Sequence, residues 1–406
     1  MVAAASRSLT LAFAAACSGG GGAPSDAAID ARLHDAGPYQ TVIFVAVQLG
    51  VEALAVGDLD GDGKPDLAVT AFNGNSVSVF LNTTVAGGAL SFGQQAGFEA
   101  GQSSFGGTAL AIGDLDGDGK PDLAVAGQSA VSVLLNTTLP GDSIARLSPS
   151  IDFPAAFGTG AISVALADFH GDGKLDVVVA YTQLLVLFHN TTAAATVPAF
   201  APPAVIATDP TSLFDVHAAD FDGDGRPDLA VLTGDAGATV LLDTSRAGSH
   251  VARFAAGVGF AAGPAPTALA LGDFDGDGKP DLAVTSRGSP EVRGNTVSLL
   301  LDATAAGAST PSFTRAGAFA NPAPIHVHVA DLDGDGRPDL VMSDLSGDVT
   351  VLLNTTPAAA TVPSFAPRAF LALDLGDLAA VVDLDGDGRP ELVVTRPQGV
   401  YIVLAR

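Results

Sequence analysis

The chain has 406 residues, 48% hydrophobic and 15% charged, so apolar material for a buried core is ample. A formal net charge of −26 excludes a phosphate-tracking nucleic-acid binder, which needs clustered Lys and Arg. A single Cys excludes an internal disulfide framework and any cysteine-rich zinc site, while 48 Gly and 25 Pro suit many short strands joined by tight turns.

In chain order, the first element is a leader over residues 1–17. Arg7 precedes an apolar run, Leu9 to Ala16, that falls far short of the roughly 20 residues a membrane-spanning helix needs. A basic residue, a short apolar stretch and small residues make the layout of a secretory signal. The run closes as AFAAAC and opens into CSGGGGAPSD, which resembles a bacterial lipoprotein signal, where the cysteine becomes the acylated first residue. The alternative is an ordinary signal with an incidental Cys17. Residues 18–37 mix Gly, Ala, Asp and Pro without periodicity and read as a flexible linker. The expected location is extracytoplasmic: a cell-envelope lipoprotein, in the outer membrane, or a secreted protein. Membrane contact is expected only through a lipid on Cys17.

Residues 38–406 form one repeat array. It opens with YQTVIFVAV (Tyr39 to Val47), a strand pattern with no partner nearby. The string DLDGDGKPDLAV then begins at Asp58 and returns at Asp114; DFHGDGKLDVVV follows at Asp168, DFDGDGRPDLAV at Asp220 and DFDGDGKPDLAV at Asp273. DLDGDGRPDLVM at Asp331 and DLDGDGRPELVV at Asp383 complete seven copies, with starts 56, 54, 52, 53, 58 and 52 residues apart. Each unit reads as four strands: one before the acidic loop, one after it (DLAVTS from Asp281), a valine- and leucine-rich third (TVSLLLD from Thr296) and a fourth with spaced aromatics (Phe313, Phe319). Seven units of four strands predict an all-β, seven-bladed propeller. The seventh unit stops after its third strand, at Arg406, and the aromatic spacing from Tyr39 to Phe44 matches that from Phe365 to Phe370. The N-terminal strand is therefore expected to complete blade seven, leaving no open sheet edge.

The acidic loops place carboxylates at positions 1, 3, 5 and 9. They are Asp58, Asp60, Asp62 and Asp66; Asp114, Asp116, Asp118 and Asp122; Asp168, Asp172 and Asp176; and Asp220, Asp222, Asp224 and Asp228. The last three loops supply Asp273, Asp275, Asp277 and Asp281; Asp331, Asp333, Asp335 and Asp339; and Asp383, Asp385, Asp387 and Glu391. Glycine at position 6 permits a sharp turn, and the position 7 carbonyl offers a further oxygen. An all-oxygen donor set of this kind suits calcium, because magnesium dehydrates reluctantly and zinc or copper prefer His or Cys. These loops hold 27 of the 44 acidic residues, and up to seven Ca²⁺ would bring the formal charge to −12. The third site is expected to be the weakest, since His170 replaces the position 3 carboxylate.

The DxDGDGxxDLxV motif with its VSVLLNTT-like strands resembles the FG-GAP/VCBS repeats of integrin α-subunit-type propellers, and the resemblance covers residues 38–406. It implies calcium loops on one face, between first and second strands, and a partner on the opposite face. The longest candidate loop there is SRGSPEVRGN, Ser286 to Asn295, with Arg287, Glu291 and Arg293 as candidate ligand-binding residues. His217, His326 and His328 interrupt first strands where Ala55, Ala111, Ala165, Ala270 and Ala380 stand elsewhere. Four Asn-Thr-Thr sequons, at Asn82, Asn136, Asn190 and Asn354, share one turn after the third strand, which points to a structural role over glycosylation. With no GxSxG elbow and the carboxylates committed to calcium, the expected function is non-catalytic: a binding or adhesion module for a protein or glycan. The alternatives are a propeller enzyme acting on polysaccharide, a lyase or hydrolase, and a purely structural envelope protein.

Overall fold

The computed structural model describes residues 7–8, 39–47, 51–71, 75–86, 88–100, 109–155, 160–208, 212–234, 237–246, 251–288, 295–320, 323–357, 360, 362–371, 377–396 and 399–405. No helix occurs among them. Alternating apolar residues and β-branched content give strands, and the position 9 acid of every acidic loop is the first residue of its blade's second strand.

Beyond the two-residue strand β1 (Arg7–Ser8), the elements, the N-terminal β2 (Tyr39–Ala46) among them, fall into seven antiparallel four-stranded blades. Blade one is β3 (Val51–Gly57), β4 (Asp66–Ala71), β5 (Ser76–Phe80) and β6 (Ala96–Glu99). Blade two is β7 (Ala109–Gly113), β8 (Asp122–Ala126), β9 (Ala130–Leu134) and β10 (Ile151–Pro154). Blade three is β11 (Ala161–Ala167), β12 (Asp176–Tyr181), β13 (Leu184–Phe188) and β14 (Ala204–Thr208). Blades four and five run from β15 (Leu213–Ala219) to β18 (Val258–Phe260) and from β19 (Pro266–Gly272) to β22 (Phe313–Ala320). Blade six runs from β23 (Pro324–Ala330) to β26 (Phe365–Leu371), and blade seven holds β27 (Asp377–Val382), β28 (Glu391–Arg396) and β29 (Gly399–Ala405).

The fourth strand of blade seven is β2, antiparallel to β29, with Tyr39 opposite Ala405 and Phe44 opposite Tyr401. Blade six has the same register, Phe365 opposite Asn354 and Phe370 opposite Thr350, as the aromatic spacing predicted. First strands contact one another round the ring, and β27 returns to β3. β1 pairs with two of them, β3 and β11, so blades one and three share one nine-stranded sheet. The rest of the leader, including Cys17, and the linker lie outside the described residues.

Seven apolar clusters fill the spaces between adjacent blades rather than one central core. Between blades one and two, for example, Ala53, Ala55, Val77 and Val79 meet Leu110, Leu123 and Val125. Small residues on the inner strands let the blades converge near the axis, and Gly57 leaves no room for a Cβ, which would sit 2.9 Å from Ile112 Cγ2. Blades thus hold together mainly through shared side-chain packing, joined at points by main-chain bonds such as Ala195 N–H to Asp116 O at 2.7 Å and Gly307 N–H to Asp222 O at 2.8 Å, so the ring's cooperativity depends on what links one blade to the next.

Candidate metal centres

Each acidic loop joins a blade's first strand to its second. In the first loop, glycines at positions 4 and 6 both take left-handed backbone, with φ of 72° for Gly61 and 86° for Gly63. A residue with a Cβ is strained there even though the space is open. The same glycine pair has positive φ in all seven loops. The turn folds backbone N–H groups onto the acids: Asp58 Oδ1 accepts from Asp62 at 3.0 Å and Oδ2 from Gly63 at 2.9 Å. Asp60 Oδ1 accepts from Asp62 at 3.1 Å, and Asp62 Oδ1 from Lys64 at 2.9 Å.

The position 9 carboxylate is the knot. Asp66 is fully buried; its Oδ2 accepts the Leu59 N–H at 2.7 Å and its Oδ1 the Asn82 N–H at 2.6 Å, tying loop to third strand. The bond from the position 2 N–H recurs in every blade. The second bond recurs at Asn136, Asn190, Asp243, Asp302 and Asn354. Blade seven has Ala405 in register with Asn354, and Glu391 Oε1 is buried without a hydrogen-bond partner among the described residues. Burial pushes Asp66, Asp122, Asp228, Asp281 and Glu391 up to about 7 and Asp339 to about 6, with neighbouring loop carboxylates adding to the rise and backbone N–H groups opposing it. Position 3 acids Asp60, Asp116, Asp222, Asp275 and Asp385 are raised too, first by burial and then by their neighbours.

Repulsion and lost solvation of this kind are relieved by a cation. Ligating atoms of Asp58, Asp60 and Asp62 lie within 4.8 Å of one another, as do those of Asp114, Asp116 and Asp122, of Asp220, Asp222 and Asp228, and of Asp273, Asp275 and Asp281. The donors are oxygens only, and each position 9 oxygen engaged by one N–H keeps a second lone pair. These clusters are able to hold a hard divalent cation, and the donor set fits calcium better than zinc.

The sequon asparagines tie four of the loops to the next blade. Asn136 Nδ2 donates to Leu59 O of the blade-one loop at 2.6 Å and to Pro121 O of its own at 2.9 Å, while Oδ1 accepts the Thr138 N–H at 2.9 Å. Asn82 reaches Leu384 O at 2.6 Å, Asn190 reaches Leu115 O at 2.8 Å and Asn354 reaches Phe274 O at 3.1 Å. All four are buried, so the structural reading of the sequons holds.

The FG-GAP-like repeat family matches the chain over residues 58–125, 114–179, 171–231, 220–284 and 331–394, and all seven acidic loops fall inside these spans. The chain belongs to the FG-GAP-like repeat family. Among curated proteins, none matches it. Among solved structures, it is similar to the N-terminal domain of Nup170 from Chaetomium thermophilum in complex with Nup53, at 11% identity and a TM-score of 0.52, over 91% of this chain and 62% of that one. A chain of the Photorhabdus luminescens Tc holotoxin pore matches at 17% identity and a TM-score of 0.40, over 87% of this chain and 18% of that one. The chain therefore spans less than two thirds of either, and the Nup170 likeness is one of fold alone.

Other expected residues divide sharply. In the third FG-GAP loop, Asp168 and Asp172 keep the usual backbone contacts, but His170 Nδ1 sits 2.7 Å from Asp176 Oδ2. Arg287 closes the end of β20 (Asp281–Ser286) through its N–H to Ala265 O at 3.0 Å, whereas Glu291 and Arg293 lie outside the described residues. His217 Nε2 faces Asp215 Oδ2 at 3.2 Å, and Asp215 Oδ1 accepts from Ser163 of the preceding blade at 2.9 Å. His217 and His328 sit in register with the alanine column, as expected, whereas His326 stands opposite Ser343, two residues out of that column. Sequence reading missed that position 7 is Lys or Arg in all seven loops, a signal plain in the strings themselves. Lys64 pairs with Asp62 at 2.5 Å, Arg226 with Asp224 and Arg337 with Asp335, while Lys120 and Lys279 donate to Thr138 O and Thr304 O. These cations offset loop charge and brace the following turn.

Proposed function

We propose that this FG-GAP propeller is a calcium-stabilised, non-catalytic binding module for a protein or glycan, displayed outside the cytoplasm. The observation that carries the reading is the coupling just described: in four loops three acids bring ligating oxygens within 4.8 Å of one another, and a loop's position 2 carbonyl is gripped by the next blade wherever Asn stands. A cation in one loop thereby stiffens the junction between two blades. Its role would be to hold the loop oxygens together and neutralise them; Asp58, Asp60, Asp62 and Asp66 and their counterparts would hold it. The rigid ring then presents the face away from these loops, including the connection that begins at Arg287, to a partner. Display outside the cytoplasm rests on the Arg7 to Cys17 leader, and anchoring on Cys17.

Two experiments test this. The purified chain, with and without calcium, is taken through a glycan array, pull-downs from cell-envelope fractions, and a panel of polysaccharide lyase and hydrolase substrates. Calcium-dependent capture without turnover is expected; turnover would replace the binding reading with an enzymatic one. Metabolic labelling with palmitate should mark the wild-type protein and not Cys17→Ala, and an unlabelled, freely released wild type would remove the anchor.

A further inference from the structure

Blade three departs from its neighbours at two positions, and the two departures meet in space. His170 stands at loop position 3 where the other loops have Asp. His189 stands immediately before the latch position, held by Asn190 here and by Asn82, Asn136, Asp243, Asp302, Asn354 and Ala405 elsewhere, where the other blades have Leu81, Leu135, Leu242, Leu301, Leu353 and Leu404. In the fold, His189 Nδ1 lies 2.7 Å from His170 Nδ1 and 3.2 Å from Asp176 Oδ1, while His170 Nδ1 lies 2.7 Å from Asp176 Oδ2. The three side chains are 3%, 12% and 0% exposed for His170, His189 and Asp176. One ligand atom from each falls within 4.8 Å of the other two. Two imidazole nitrogens in contact need a proton or a metal ion between them, since two lone pairs repel.

We propose that blade three carries a transition-metal site of the zinc(II) class, ligated by His170 Nδ1, His189 Nδ1 and Asp176, in place of a calcium loop. Two imidazoles and one carboxylate form a donor set that borderline divalent ions prefer and calcium does not. The loop has three carboxylates, Asp168, Asp172 and Asp176, where its neighbours have four, and only Asp176 meets the imidazoles, which suits an ion bound by a few short bonds. Zn–N bonds of about 2.0–2.1 Å put tetrahedral ligand atoms roughly 3.3 Å apart, so the imidazole pair opens by about 0.6 Å, a small side-chain rotation. Asp176 is held for the task by N–H groups of Phe169 at 3.0 Å and Asn190 at 2.7 Å, an outer shell of the kind that orients metal ligands. One contact works against binding: His170 Nε2 accepts the Ala252 N–H at 3.2 Å. A metal on Nδ1 moves the ring proton to Nε2, so that amide must turn away. The bond surrendered is long, and its loss is measurable.

The test uses tag-free full-length chain equilibrated with micromolar zinc in millimolar calcium, freed of unbound metal and analysed for both elements. One zinc per chain is expected, falling at least tenfold in His189→Leu. The double variant His170→Asp/His189→Leu, which restores the neighbouring pattern, should lose zinc and gain one calcium. Cobalt(II) bound to the wild type should give the intense visible bands of a four-coordinate site and shift the Ala252 amide resonance, a readout that needs no variant to fold. Zinc retained equally by wild type and His189→Leu, or cobalt bound without those bands and without the amide shift, overturns the proposal. Because calcium is counted in the same sample, absence of calcium with zinc present would defeat the calcium reading alone.

Discussion

The loops of blades three and five share a backbone and differ in what they offer a cation. Gly171 and Gly173 have φ of 64° and 84°, Gly276 and Gly278 have 78° and 89°, and both position 9 acids are buried on the same two N–H groups. Yet blade five presents Asp273, Asp275, Asp277 and Asp281, while blade three brings two imidazoles to its single buried acid. The path of the loop is therefore set by the glycine pair and the position 9 knot, and the donor set it offers a cation by position 3 and the residue before the latch. Scaffold and ligand choice are separable, and the way to break that claim is to perturb each in turn.

The largest effect is expected from removing the hard cation altogether. Metal that binds only the folded loops stabilises by mass action, about 2.7 kcal/mol per site at a free concentration about 100 times Kd. Several sites on one cooperative ring rival the roughly 5–15 kcal/mol of a whole domain. A calcium-selective chelator should lower Tm by well over about 10 °C, with recovery in calcium but not in equal magnesium. An unchanged melt, with no calcium in the protein, would reduce the loops to turns.

A sharper comparison takes one acid from each loop. Asp277→Ala should cost about 2–3 kcal/mol in excess calcium and much less in chelator, because it forfeits one site's binding energy. Asp172→Ala should cost under about 1 kcal/mol in either condition. Equal calcium-dependent losses would show that blade three is an ordinary calcium loop.

Much of this was legible in sequence because it repeats. Seven copies of one string at a near-constant spacing declare blades, loops and glycines together, and the stray strand at Tyr39 had to go where a fourth strand was missing. The pairing of His170 with His189 was not legible, because the two stand 19 residues apart and only the antiparallel return of β13 brings them together. Nor was the reach of Asn136 to Leu59 O, 77 positions away, since it depends on the angle between blades. The interior of β11 and β15, where Ser163 meets Asp215, was hidden for the same reason.

A carboxyl with no part in any loop provides a control for the loop acids. Glu52 on β3 is buried, its Oε2 has no hydrogen-bond partner among the described residues, and burial raises it from 4.5 to about 7. A raised acid contributes its full share to stability below its unfolded value and loses it as pH rises through the folded one, so the loss falls between about pH 4.5 and pH 7 and above. Glu52→Gln should match wild type near pH 5 and exceed it by about 1–2 kcal/mol at pH 8.5, with or without calcium. Loop acids differ in one respect: bound calcium would hold them ionised, so their pH dependence should shrink when metal is added. If adding calcium abolishes the Glu52→Gln difference, the inner strand and the loops are coupled and the control fails.

The smallest effect concerns the latch. Asn354 of blade six donates to Phe274 O of blade five at 3.1 Å, but the equivalent residue of blade five is Asp302, whose Oδ2 is buried without a partner among the described residues. An ionised carboxylate has no proton to give the preceding loop, at Phe221 O, and burial raises the Asp302 pKa accordingly. Asp302→Asn supplies the missing donor while keeping Oδ1 for the Thr304 N–H, which Asp302 already accepts at 2.7 Å. A net gain of about 0.5–1.5 kcal/mol is expected, the worth of one intramolecular hydrogen bond. The gain should be greater at pH 8 than at pH 5, because the wild-type acid loses its contribution as pH rises through its raised pKa and the amide does not titrate. Asn354→Asp should lose stability with the same pH trend. Should Asp302→Asn destabilise the ring at both pH values, the latch would not be the link between blades four and five, and their coupling would have to be carried by side-chain packing and the Gly307 N–H to Asp222 O bond at 2.8 Å.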